Sequence, residues 1–298
     1  MSFNLKTYLK EKRNLVNKAL EEYLPPVDNP TRNLIESMRY SLFAGGKRLR
    51  PILCLGTVEA LGKNPEHCLP VACAIEMIHT YSLIHDDLPA MDNDELRRGK
   101  PTNHVVFGEA MAILAGDGLL TEAFFVLSNY GLNDLINPTK LLEIIRIISN
   151  AAGCRGMVGG QTIDMEAEGK EIEPSLLEMM HACKTGALIT ASVESGAVAA
   201  GASNEARNAF VNYGRHFGLA FQITDDLLDV TGDSEEMGKP AGSDEARQKS
   251  TFPALYGLEK TREMAKFHVS KALENLQQFD DRALPLRELV KYLLKRRK

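Results

Sequence analysis

Apolar residues along this chain recur at alternating spacings of three and four. Val71, Ala74, Ile75 and Ile78 keep to one helical face, as do Phe210, Gly214, Phe217, Phe221, Thr224 and Leu228, and alternation with period two is nowhere sustained. The pattern predicts an all-α chain. Its one strand-like stretch, Ile144 to Ile148, sits inside an uninterrupted run from Pro138 to about Met157, longer than a typical strand and therefore expected to be a buried helix. Asn29-Pro30, Asn64-Pro65 and Asn137-Pro138 each set a capping Asn before a Pro at the first helical position, and Ser175 to Glu178 has the spacing of a capping box. Glycine- and proline-rich breaks at 44–46, 99–101 and 232–242 separate long helices, and none reads as an interdomain linker. The expectation is one all-α domain over residues 1–298, with roughly ten core helices.

Composition narrows the class. With 44% hydrophobic and 25% charged residues the chain reads as a soluble globular protein, and its net charge of −5 argues against nucleic acid as a partner. The five cysteines (Cys54, Cys68, Cys73, Cys154, Cys183) form neither a CxxC pair nor a zinc spacing. They are expected to be free core thiols in a reducing, cytoplasmic compartment. The first sixteen residues have scattered charges and no apolar h-region, so no secretory signal is expected. The least charged stretch, Thr185 to Asn204, is too weakly apolar for insertion, so no membrane span and no stable membrane association are expected.

The candidate chemistry begins with two acid clusters, Asp86-Asp87 with Asp92, and Asp225-Asp226 with Asp229. Pro89 should end the first helix near Asp87, leaving Asp86 at a helix C-terminus, where the macrodipole disfavours negative charge by about 0.3–1 kcal/mol. Gln222, Asp225 and Asp229 share one stripe of a helix. Neither cluster has a neutralising lysine nearby, so both call for divalent cations, which prefer hard oxygen ligands. Taken singly, an acidic triplet also fits a solvated helix end. His85-Asp86 resembles a metal-hydrolase motif as well, but that chemistry needs further histidines.

Cations surround these acids. Gly45-Gly46-Lys47-Arg48-Leu49-Arg50 with Pro51 is a glycine turn opening a helix, a geometry suited to oxyanions. Arg97-Arg98 follow the first cluster, Lys184-Thr185-Gly186 lies where glycine weakens a helix, and Lys239 and Lys249 follow the second cluster in a broken loop. His79 lies on roughly the face of Asp86, although a lone histidine there also fits a satisfied core residue. Each set alone fits a solvated surface. Together they suit a diphosphate held by metals and donors.

With these residues in view, the chain closely resembles the short-chain trans-prenyl diphosphate synthases, and among them the bacterial farnesyl type. The resemblance covers nearly the whole length and rests on five blocks in order: GGKRLRP (45–51), HTYSLIHDDLPAMDNDELRRGKPTNH (79–104), GQTIDM (160–165), KTGALI (184–189) and the segment 221–253. It implies an isoprenoid-synthase bundle around a central cavity, usually a homodimer, with the two aspartate motifs facing each other. The implied metal ligands are Asp86, Asp92 and Asp225, helped by Asp87 and Asp229, for about three Mg2+ ions, with Mn2+ as the alternative. It further implies that Lys47, Arg50, His79 and Arg98 hold isopentenyl diphosphate. Arg97, Lys184, Thr185, Gln222, Lys239 and Lys249 would contact the allylic substrate, dimethylallyl or geranyl diphosphate. The reaction implied is ionisation of the allylic diphosphate, attack by the alkene of isopentenyl diphosphate, and loss of a proton to the departing diphosphate.

The resemblance also puts the floor of the product pocket one turn before Asp86, at Tyr81 and Ser82. A ring at Tyr81 should stop the product at farnesyl diphosphate. A geranylgeranyl diphosphate synthase is the nearest alternative. A non-catalytic regulatory homologue is disfavoured by the intact clusters, and a terpene cyclase by the cations for a second diphosphate. The basic end Lys295 to Lys298 reads as a solvated tail, or as one that folds over the diphosphates or touches acidic lipid.

Overall fold

A computed structural model describes residues 3–27, 30–133, 135–170, 172–231 and 250–296. Lys239, Lys249, Arg297, Lys298 and the expected break at 232–242 therefore lie outside the described residues. The all-α expectation holds: the described residues form α-helices joined by short turns, with one antiparallel ladder pairing Leu96 with Pro101 and Arg97 with Lys100. That hairpin was not foreseen. Its two central residues, Arg98 (φ 54°) and Gly99 (φ 73°), both take left-handed backbone, as a tight two-residue hairpin requires.

The chain clusters into two compact units. The first comprises Met1–Leu55 and Pro65–Ile145. It holds α1 (Leu5–Tyr23), α2 (Arg32–Leu42), the start of α3 (Leu49–Ala60), α4 (Leu69–Asp86), the single-turn α5 (Asn103–Phe107), α6 (Glu109–Leu132) and the first half of α7 (Pro138–Ala152). Its centre is α4. Val71 to Ile78 are buried without a break, because the sequence there is apolar on every face and every face meets a neighbour. The helix packs most extensively on α6, and also on α1 and α2.

The helix α6 is long and apolar. Among the described residues it is the one helix long and apolar enough to cross a membrane, with a mean hydropathy of 1.7 over a window that is 39% buried. Within 185–204, Ala187–Ala200 form a largely buried helix. Ile113, Leu114, Phe125 and Leu132 are the exposed large apolar residues of α6.

The second unit comprises Gly56–Asn64 and Arg146–Lys298. It holds α8 (Met157–Ala167), α9 (Pro174–His181), a π turn at Ala182–Gly186, α10 (Ala187–Ala200), α11 (Asn204–Thr231), the single-turn α12 (Phe252–Tyr256), α13 (Leu258–Asn275) and α14 (Leu284–Leu293). Its long helix is α11. The rings of Phe210, Tyr213 and Phe217 are fully buried, and the Tyr213 hydroxyl donates to Leu286 O at 2.9 Å. Leu177, Met180, Ile223, Phe252 and Ala265 form a core that ties α9, α11, α12 and α13 together.

Several boundaries shift from expectation. Asn137 does cap α7, its Oδ1 accepting from Thr139 N at 2.9 Å. The run from Pro138 to Met157 breaks at 153–156, however, so α7 and α8 are separate helices. Pro65 opens a 3-10 turn, and α2 begins after Thr31 rather than at Pro30. Ser175 caps nothing: Pro174 takes the first helical position and leaves Glu173, at φ −65° and ψ 143°, as the N-cap. Cys54, Cys68 and Cys73 are buried as expected, but Cys154 is exposed and Cys183 partly so.

Candidate active site

In the first unit α4 ends at Asp86, with Asp87 as its C-cap, as Pro89 predicts. The chain then turns back on itself. Asp92 N donates to Asp86 O at 2.8 Å, and Asn93, at φ 51°, closes the turn by donating its N–H to Leu88 O at 3.1 Å. Asp92 is thus returned to the helix end that carries Asp86. Asp87 is buried and grips Arg97: Nε lies 2.8 Å from both carboxylate oxygens, and Nη2 is 2.6 Å from Oδ1. The cation that this helix end demanded is partly supplied by an arginine ten residues on. Arg97 and Asp87, assigned from the sequence to substrate and metal, are here joined to each other.

Around them lies a nest of cations. Gly45 (φ 109°), Gly46 (φ 122°) and Arg48 (φ 53°) form a left-handed turn that starts α3 at Leu49. Arg98 reaches back from its hairpin to donate to Gly45 O. Burial, and then the charges of Arg50, Arg98, Arg97 and Arg48, hold the His79 imidazole well below its ordinary range, so it is neutral at pH 7. Burial pulls the Arg50 guanidinium down to about 10, with Glu76 opposing and Arg98 adding to the shift. Arg50 Nε is buried with no hydrogen-bond partner. A small cleft of about 30 Å³, bordered by Thr80, Asp87, Arg97 and Arg98, opens beside this cluster. Four arginines surround a neutral histidine, and the orphaned donor among them, Arg50 Nε, has the chemistry an anion would satisfy.

Tyr81 is buried beside the first acid cluster, its ring edge-on to His85 with centroids 5.7 Å apart. Burial, and then the Asp86 charge, push its hydroxyl up. Ser82 Oγ donates to His79 O at 2.9 Å.

In the second unit the π turn presents two neighbours in different directions. Lys184 Nζ meets Asp164 of α8 at 2.6 Å, and the Thr185 hydroxyl donates to Gln222 Oε1 of α11 at 3.1 Å. Glycines allow both approaches. A Cβ on Gly160 would lie 2.2 Å from Lys184 N, and one on Gly218 would lie 2.8 Å from Gly186 Cα. Gly160→Ala should therefore push α8 off the π turn, costing about 1–3 kcal/mol of stability and more than about tenfold in kcat/KM. A thermal melt beside steady-state kinetics checks it.

The stripe expected on α11 is rearranged. Gln222 Nε2 donates to Asp226 Oδ1 at 2.8 Å, one full turn on, and Phe252 N donates to Asp226 Oδ2 at 3.0 Å. Asp226 thus locks Gln222 and α12 in place. The buried His181 stacks on Phe252, and burial lowers its pKa to about 4. Asp225 keeps its side chain half exposed and binds Arg296 Nη2 at 2.7 Å. The same nitrogen donates to Thr224 Oγ1 and to Phe221 O, each at 2.8 Å, and the guanidinium lies 4.4 Å from the Phe221 ring centroid. At Arg296 the tail is therefore neither solvated nor loose.

Asp164 had no reading from the sequence, while Asp226 and Arg296 stood in the acid cluster and the basic end without the partners they have here. Asp226 had a usable signal, standing four residues after Gln222. A larger cavity in this unit, about 550 Å³ and rimmed by Arg146, Arg155 and Arg215, includes none of the expected site residues.

Among the described residues no three His, Cys, Asp or Glu side chains are gathered as a metal cage. The two aspartate ends offer hard carboxylate oxygens in ones and twos. That donor set fits Mg2+, which binds through one or two carboxylates together with substrate phosphates.

The sequence profile described as polyprenyl synthetase matches residues 31–291. A farnesyl diphosphate synthase of Geobacillus stearothermophilus is 51% identical over 277 residues, covering 93% of each chain. A geranylgeranyl diphosphate synthase of Cyanophora paradoxa is 46% identical, over 99% of this chain and 97% of its own. The apo crystal structure of an FPP/GFPP synthase from Zymomonas mobilis superposes with a TM-score of 0.88 at 40% identity, covering 99% of this chain and all of that one.

Proposed function

We propose what this chain does from one premise: it belongs to the polyprenyl synthetase family. It is a prenyl chain-elongating transferase that condenses isopentenyl diphosphate with dimethylallyl or geranyl diphosphate to give farnesyl diphosphate. The observation that carries the two-substrate reading is the cation nest, where Arg50 Nε is buried without a partner beside a neutral His79. A second diphosphate supplies the missing acceptor.

In this reading Lys47, Arg50, His79 and Arg98 bind the diphosphate of isopentenyl diphosphate. Asp86 and Asp92 in the first unit, and Asp225 and Asp229 in the second, are the carboxylates for about three magnesium ions, and Asp87 holds Arg97 beside the first pair. When bound, magnesium supplies charge neutralisation of the departing diphosphate. Lys184, kept in place by Asp164, and Arg97 donate to the allylic diphosphate, together with Lys239 and Lys249. The carbon–oxygen bond breaks with its electron pair leaving on diphosphate, the isopentenyl alkene forms the new carbon–carbon bond, and the proton lost leaves on diphosphate. The oxygens of Thr185 and Gln222 face the developing cation without attacking it. No side-chain nucleophile is needed.

We further propose a single functional domain in the cytoplasm and a homodimer. The exposed apolar positions of α6 suit a second copy better than water. Labelled isopentenyl diphosphate incubated with magnesium and geranyl or dimethylallyl diphosphate should yield farnesyl diphosphate on product chromatography. A geranylgeranyl product would favour the second reading, which the relative from Cyanophora supports. No chain elongation would refute both.

A further inference from the structure

We propose that Glu76 is a positioning residue for the non-allylic diphosphate: its buried carboxylate is the counter-charge that holds Arg48, and through it the turn carrying Lys47 and Arg50. The proposal rests on the reading of Lys47, Arg50, His79 and Arg98 as the isopentenyl diphosphate site. Arg48 Nη1 meets Glu76 Oε1 at 2.8 Å, and the two side chains are 2% and 3% exposed. The rest of the guanidinium is committed as well, Nη2 donating to Leu42 O at 2.6 Å and Nε to Asn17 Oδ1 at 2.8 Å. Arg48 therefore has little left for a ligand.

What it does is hold a backbone. At φ 53° Arg48 takes a conformation that L side chains disfavour, and its buried contacts keep it there. Lys47 precedes it and Arg50 follows it by two residues, so the same turn aims both. On α4, Glu76 stands one turn before His79. Burial lowers the pKa of Arg50 and of Arg98, and in both cases Glu76 is the strongest opposing influence. With the Arg48 charge cancelled locally, the remaining cations can sit together before any anion arrives. Loss of the carboxylate frees a buried charge that repels its neighbours and loosens the turn.

The test is Glu76→Gln, which keeps shape and an acceptor oxygen but removes the charge. The KM for isopentenyl diphosphate should rise by about tenfold or more, while kcat and the KM for geranyl diphosphate stay within about threefold. Adding Arg48→Met, which removes the stranded cation, should recover part of the loss. An unchanged KM for isopentenyl diphosphate in a folded Glu76→Gln protein, or an equal rise in both KM values, overturns the proposal. If circular dichroism shows that this variant does not fold, Glu76→Asp decides instead. It keeps the charge and shortens the reach, so it should raise the same KM alone by a smaller factor, and a wild-type value there is equally fatal. Calorimetric titration with inorganic diphosphate separates the levels. A wild-type protein that makes no product, yet binds diphosphate more tightly than Glu76→Gln, fails the reaction and retains the positioning role.

Discussion

Asp86→Ala should lower kcat for farnesyl diphosphate formation by about a thousandfold, equivalent to about 4 kcal/mol of transition-state stabilisation, and leave the circular dichroism spectrum unchanged. The size follows from charge. Breaking the allylic carbon–oxygen bond leaves a diphosphate whose negative charge must be met within the site, and Asp86 stands at the end of α4 with Asp92 folded back beside it. The fold should tolerate the change, because it removes a negative charge from a helix C-terminus, where it is worth about 0.3–1 kcal/mol against stability. Asp225→Ala should cost similar activity but will not be silent in a melt. Arg296 would keep a buried guanidinium without its carboxylate. Because Asp225 is half exposed, the stability loss should fall below the 3–5 kcal/mol typical of fully buried pairs. Asp86→Ala with full turnover would remove the carboxylate-and-metal reading altogether.

The second large effect concerns the product. Tyr81→Ala should shift the main product from farnesyl to geranylgeranyl diphosphate, measured by chromatography of the dephosphorylated alcohols. Tyr81 lies five residues before Asp86, about 7.5 Å along the helix axis. Its ring is buried against His85. Removing it leaves space along the face a growing chain would follow. Core truncations of this kind cost about 3–5 kcal/mol, so the assay belongs at low temperature with a melt in parallel. If farnesyl diphosphate remains the sole product, the pocket floor lies elsewhere.

Much of the fold could be read from period alone, for a physical reason. In α11 burial is set by a helical face, so apolar residues had to recur at threes and fours, while α4 is apolar on every face and legible by its length. Proline made the end of α4 legible too, since it constrains backbone locally. Features that depend on contacts between distant residues were not legible. The grip of Arg97 on Asp87 needs a hairpin too short to show alternation, with left-handed backbone at an arginine. Arg296 finds Asp225 only once α14 is packed, and a tetrad of basic residues at a chain end looks like any solvated tail. In α6, Asp117 and Glu122 interrupt a run whose apolar character survives them. The acid clusters and the glycine turn were visible because their chemistry is concentrated in neighbouring residues. Asp164 and Glu76 support those groups from elsewhere and carry no such signature.

The π turn between α9 and α10 sets a phase. Each residue of an α-helix advances the direction of its side chain by about 100°, so one surplus residue at Ala182–Gly186 turns everything beyond it by about that angle. Leu177, Met180 and His181 before the turn, and Leu188, Ile189 and Ser192 after it, are all buried, so both sides of the offset pack into the core. Within the turn two consecutive residues address different helices, Lys184 toward α8 and Thr185 toward α11. A one-residue deletion in this stretch would remove little mass and restore a regular helix. It would also act as a rotation, turning α10 about its own axis and aiming lysine and threonine away from both partners at once.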